Sequence, residues 1–90
     1  SFMNENSIEL FLNFIRFEKR LSHLTVKNYL NDLERLHKLI NKPTIQSTTE
    51  DIRLSLAKLH ASGLSGKSLS RILSAWRSYF MFLKMTQHQE

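Results

Sequence analysis

The 90-residue chain has no cysteine, one proline and two glycines. Without cysteine there is no disulfide, no thiolate zinc site and no cysteine nucleophile, and the composition suits a reducing, intracellular setting. No apolar run approaches the ~20 residues of a membrane-spanning helix, and the start does not read as a secretory signal. Strand signals are missing too. No stretch sustains apolar–polar alternation, and neither Asn-Gly nor Asp-Gly occurs. The four histidines, His23, His37, His60 and His88, show no metal-ligand spacing, so no metal is expected. The last absence is of negative charge. Of the net +5, residues 1–51 contribute nothing, with seven basic and seven acidic residues; residues 52–89 carry six basic residues and no acid. Such asymmetry fits a polyanionic partner and equally fits a soluble basic surface, and charge alone does not separate the two.

What is present reads as four helices in one small domain. Ser1-Phe2 before Met3 read as an expression remnant, and residues 1–6 as a tail in which Asn6 with Glu9 resembles a capping box. The first helix is expected at about 7–20. Ile8, Phe11, Leu12 and Ile15 form one stripe, and Leu10, Phe14 and Phe17 a second, so the helix is wedged between others or covered by a partner. Arg16, Lys19 and Arg20 suit its C-terminal dipole. Ser22 caps a second helix at about 23–40. Val26, Tyr29, Leu30, Leu33, Leu36 and Ile40 form its core face; Lys27, Asn31, Glu34 and Lys38 lie opposite, and Asn28, Asp32 and Arg35 to one side. Asn41, Lys42 and Pro43 end it. Thr48 caps a third helix at about 49–62, with stripe Ile52, Leu56 and Leu59, and Gly63 serves as its C-cap.

Ser65 caps the fourth helix, at about 66–85, around which the rest is organised. At about 100° per residue, Leu69, Ile72, Leu73, Trp76, Tyr79, Phe80 and Leu83 fall in an arc roughly 120° wide. Lys67, Arg71, Ser74 and Ser78 lie opposite, flanked by Ser70 and Arg77. Met81 lies near this basic side and Phe82 off the core arc, where an exposed phenylalanine points to a protein contact. Residues 86–90 read as the start of a linker.

Three stretches carry a resemblance: IELFLNFIRFEKRLS at 8–22, LSHLTVKNYLNDLERL at 21–36, and LHASGLSGKSLSRILSAWRSYFMFL at 59–83. In this order and spacing the chain resembles the N-terminal core-binding domain of tyrosine recombinases, nearest the Xer-type branch of the phage-integrase superfamily. The resemblance implies an all-α, four-helix SAM-like orthogonal bundle over 7–85 that clamps one side of a DNA recombination half-site. It also implies a catalytic domain C-terminal to it that grips the other side.

By position, the implied DNA contacts fall on His23, Thr25, Lys27 and Asn28 of the second helix, and on Lys67, Ser68 and Arg71 of the fourth. Ser74 and Arg77 are weaker candidates. His23 stands where Xer proteins commonly have proline. Arg71 has the fork for a guanine edge, whereas Lys67 suits a phosphate as a point charge. Thr25 either donates to a phosphate or only assists the cap. For each of these the alternative is a plain solvated face.

The implied partners are double-stranded DNA and a second recombinase protomer. The implied setting is the bacterial cytoplasm, at the nucleoid, and the implied role is chromosome-dimer resolution. No metal or nucleotide cofactor is implied. The recombinase nucleophile belongs to the catalytic domain, so Tyr29 and Tyr79, both on core-side arcs, are not expected to act as one, and this stretch is expected to bind rather than catalyse. The other readings are the same domain in a phage or mobile-element integrase, and a helical protein-interaction bundle whose charge is incidental.

Overall fold

The computed structural model describes residues 5–86, with side chains from Ser7 onward. Helix α1 spans Glu5–Asn13 and runs on into a π-helical turn at Phe14–Glu18; α2 spans His23–Ile40, α3 Thr49–Ala61 and α4 Gly66–Thr86. A short 3-10 turn, Thr44–Gln46, interrupts the connection between α2 and α3. The described residues contain no strand, and none of their helices is long and apolar enough to cross a membrane. The architecture is the expected all-α bundle of four helices.

Local chemistry sets the boundaries. The Ser22 hydroxyl accepts from the Thr25 N–H at 3.1 Å and caps α2. Asn41 ends α2 in the left-handed region, with φ 58, which asparagine tolerates better than most residues. Thr48 and Asp51 form a reciprocal capping box on α3, each bond 3.0 Å. Beyond α3, Gly63 at φ 109 allows two closing bonds, Gly63 N–H to the His60 carbonyl at 3.0 Å and Leu64 N–H to the Leu59 carbonyl at 3.2 Å. This pair of bonds is the Schellman motif. Ser65 caps α4 through the Ser68 N–H at 3.2 Å.

The first helix departs from expectation at both ends. It begins at Glu5, which places Asn6 inside the helix rather than at its cap; the Asn6 side chain lies outside the described residues. From Phe14 the hydrogen bonding widens: the Lys19 N–H reaches the Phe14 carbonyl, the Leu21 N–H reaches the Ile15 carbonyl, and Arg20 turns left-handed at φ 57. The helix therefore ends two residues early. The two apolar stripes separate accordingly. Ile8, Phe11 and Ile15 are buried and Phe14 is half-buried, while Leu10 and Phe17 face outward. Arg16 and Lys19 lie over the rings of Phe17 and Phe14, at 5.5 and 5.8 Å.

The core centres on Phe11. Its ring lies 5.4 Å from Tyr79, 5.5 Å from Phe82 and 5.9 Å from Tyr29, and Phe14 adds a contact to Phe82 at 5.2 Å. Each such pair adds about 0.5–1.5 kcal/mol beyond burial. Phe82 is thus a core residue, and the expected exposed site for a protein contact is not there. Helix α1 closes over the C-terminal half of α4 and widens its buried arc to include Phe82, while Met81 stays exposed. Leu33, Leu36, Ile72, Trp76 and Leu83 complete the interior.

Polar groups pin the connection to this core. The Thr44 and Tyr79 hydroxyls are 2.9 Å apart in the interior. Burial pushes the Tyr79 phenol up from its ordinary range, against the opposing effect of hydrogen bonds to Thr44 and Ser7. Lys42 and Asp51 pair at 3.0 Å between the end of α2 and the start of α3.

Candidate nucleic-acid interface

Helices α2 and α4 meet at an ion pair. Arg71 donates from Nε to Asp32 Oδ2 and from Nη2 to Oδ1, both at 3.0 Å. The Asp32 side chain is 5% exposed and that of Arg71 54%. The hydrogen bonds and charge of Asp32 raise the guanidinium further above its ordinary value. Asp32, placed by helical phase merely to one side of α2, is in fact buried beneath Arg71.

The bridge joins α2 to α4 at Asp32 and Arg71, and the start of α2 lies toward the C-terminal half of α4, where Leu21 and Tyr29 share a pocket with Arg77, Ser78 and Met81. On α2, Asn28 lies one turn before Asp32 and Thr25 about two; on α4, Lys67 lies one turn before Arg71 and Ser74 almost one turn after. His23, Lys27, Asn28, Lys67, Ser74 and Arg77 are exposed, and Thr25 and Ser68 are half-buried. The two half-buried hydroxyls take part in the caps. Thr25 Oγ1 accepts from Ser22 Oγ at 2.9 Å, and Ser68 Oγ accepts from Ser65 Oγ at 3.3 Å. Each retains its own proton to donate. So the two readings of Thr25, cap and anion donor, are compatible.

The free N–H groups in the first turns of α2 and α4 favour an anion nearby, as helix N-termini do. Of the six cations in the acid-poor half, Arg53 pairs with Glu50 and Arg71 with Asp32. Among the described residues Lys58, Lys67, Arg77 and Lys84 have no ion-pair partner, and neither has Lys27. The described residues contain no group of three or more histidine, aspartate or glutamate side chains placed to hold a metal ion.

The residue that sequence reading missed is Asp32. Its partner is 39 positions away, so no local pattern points to it. The available signal was an acid adjoining the buried Leu33 on a helix that packs against an arginine-bearing one.

Beside this face, between α3 and α4, runs an apolar groove of about 790 Å³, lined by Ile52, Leu56, Leu73 and Phe80, with exposed Ile45 and Arg77 also on its walls. Two of the residues that line it, Ser47 and Trp76, each have a buried polar atom with no hydrogen-bond partner, Oγ and Nε1.

Residues 8–87 match the family described as phage integrase, N-terminal SAM-like domain. The chain is 40% identical over 81 residues to the tyrosine recombinase XerD of Chlorobaculum tepidum, covering 86% of this chain and 26% of that protein. It is 36% identical over 83 residues to the tyrosine recombinase XerC of Ralstonia pickettii, covering 87% and 25%. The XerC of Chromobacterium violaceum is 34% identical over 87 residues, covering 96% and 29%. The chain thus spans about a quarter of the length of these relatives. No solved structure matches it. A four-helix bundle matched over nearly its whole length, with recombinase relatives aligned across the same stretch, belongs to the phage-integrase N-terminal SAM-like domain family of the XerC and XerD tyrosine recombinases.

Proposed function

We propose that the chain is the DNA-binding, core-binding domain of a site-specific tyrosine recombinase. It holds one face of a recombination half-site and so positions a catalytic domain, supplied by the remaining length of the full protein, for strand cutting and rejoining. The carrying observation is the pair of helices α2 and α4 joined by the Asp32–Arg71 bridge, which together carry Lys27, Lys67 and Arg77 without ion-pair partners and the Thr25 and Ser68 hydroxyls. In this reading Lys27, Lys67 and Arg77 bind phosphates, Asn28 and Arg71 reach base edges, and His23 and Ser74 border the contact.

The chain itself binds and positions, and chemistry resides elsewhere in the full protein with no metal or nucleotide cofactor. Its partners are duplex DNA and a second recombinase protomer. Its setting is the bacterial cytoplasm, and its role is chromosome-dimer resolution.

The test is titration of the chain with short duplexes between about 50 and 200 mM salt. Affinity should fall steeply with salt, and Lys27→Ala and Lys67→Ala should each reduce the slope by about one without changing helicity or Tm. Salt-indifferent binding, or variants that bind as wild type, would overturn it.

One observation favours a second reading, a protein-interaction bundle: the α3–α4 groove, together with exposed Leu10, Phe17 and Met81. Sedimentation at several concentrations, with and without duplex, separates the two. A stable dimer indifferent to DNA supports the second.

A further inference from the structure

The guanidinium of Arg71 has five N–H donors in a fixed plane. Asp32 takes the side edge, one hydrogen from Nε and one from Nη2. The carboxylate is 5% exposed and the arginine side chain 54% exposed, and the edge of the guanidinium away from Asp32 makes no other hydrogen bond among the described residues. That edge carries the two Nη1 hydrogens and the second Nη2 hydrogen. One hydrogen from each nitrogen gives a parallel pair of donors, the arrangement that matches guanine O6 and N7. The same carboxylate neutralises much of the positive charge that would draw a free arginine to any phosphate. An arginine held by both Nε and Nη2 also cannot swing to follow the backbone.

We propose, resting on the DNA-binding reading above, that Asp32 is a specificity-determining positioning residue: it holds Arg71 edge-on so that its outer donor pair reads a guanine instead of a phosphate. Asp32 touches no DNA. It acts through Arg71, and it trades charge for discrimination. Lys67, one turn away with no ion-pair partner, is left with Arg77 as a phosphate contact on the same helix.

The experiment is selection of duplexes from a sequence-randomised pool by the chain as wild type, Asp32→Asn, Arg71→Lys and Arg71→Ala, alongside salt titrations on an unselected random duplex. Wild type should select one guanine position with about tenfold or greater preference. Asp32→Asn should lose that position alone and bind the random duplex several-fold more tightly, with a salt slope steeper by about 0.9. Arg71→Lys provides a route that keeps Asp32 paired; it should lose the same guanine while the remaining positions persist. Arg71→Ala should lose it too.

Each contrary result is decisive. If Asp32→Asn selects the same guanine as strongly as wild type, the positioning role fails. If all positions blur together and the salt slope is unchanged, Asp32 only supports the fold, and the proposal fails. If wild type binds duplexes but selects no guanine, the proposal falls while the DNA-binding reading stands. If wild type binds no duplex at any salt, the DNA-binding reading falls and takes the proposal with it.

Discussion

The Thr44 hydroxyl faces that of Tyr79 at 2.9 Å inside the core, so the connection between α2 and α3 is held by a buried bond rather than merely spanning a gap. Tyr79→Phe leaves Thr44 without its partner and should cost about 1–3 kcal/mol. In a domain this small each kcal/mol moves Tm by about 4–8 °C. Thermal unfolding at neutral pH checks it.

The same tyrosine sets an alkaline limit. Its folded-state pKa lies above the ordinary 10.0, with burial as the first cause. Above pH 10 the unfolded chain releases this proton while the folded one retains it, so the unfolded state binds fewer protons and stability falls. The contribution is full below pH 10 and lost as pH rises through the folded value. Tyr79→Phe should flatten this alkaline decline in denaturant titrations from pH 9 upward.

Two groups act at the acid end. Asp51 is held below its ordinary 3.8, chiefly by the Thr48 backbone N–H and then by Lys42. Its contribution is present above that value and lost as pH falls through the lower folded one. His37 is lowered from 6.5, mainly by burial and against the pull of Glu34. Below pH 6.5 the unfolded chain takes up a proton that folded His37 resists, so stability again falls with pH. Asp51→Asn should weaken acid sensitivity below pH 4, and His37→Gln should weaken it between pH 6.5 and 5, in stability measured across that range.

Removing charge from Lys67 and from Arg71, two of the three charged candidate DNA residues of α4, should have unequal effects on the fold. Lys67→Ala removes an exposed side chain and should leave Tm within about 2 °C. Arg71→Ala strands a buried carboxylate and should cost about 1–3 kcal/mol, nearer the lower figure because Arg71 itself is half in water. A double alanine variant is therefore not a pure surface change, and its DNA binding must be read below its melting range.

Adjacent residues near the end of α4 should differ as sharply. Phe82→Ala opens a hole beside Phe11 and Phe14 and should cost about 3–5 kcal/mol. Met81→Ala should cost under 1 kcal/mol. Thermal melts of the pair check whether α1 closes over this end.

Most of the helical framework was legible because its signals are local. Ser22, Thr48, Ser65, Gly63 and Asn41 each act within four residues, and each performs the role its type and position suggest. Three features depend on distant partners and were not legible. Phe82 is buried because α1 lies over it; phase along α4 alone puts it off the core arc. Asp32 is buried because Arg71 covers it from another helix. The π turn at Phe14 arises where a helix apolar on most sides must choose which stripe to bury, and periodicity does not choose. The candidate site was legible as a list of exposed cations and hydroxyls. Which cation is already spoken for depended on the tertiary fold.

Helix α4 runs 21 residues, Gly66–Thr86, about 32 Å at 1.5 Å per residue. The longest dimension of the molecule is 35 Å. A single rigid rod therefore crosses the whole domain, with the aromatic stack of Phe11, Phe14 and Phe82 at one end and Lys67 at the other. Such a rod is a lever: a 5° tilt about the aromatic end sweeps the lysine end through roughly 2–3 Å over that length. Because Ile72, Trp76 and Tyr79 are buried and Arg71 is held by Asp32 between these two ends, a change in how α1 seats on Phe82 would reach Lys67 only by moving the packed core and the bridge with it.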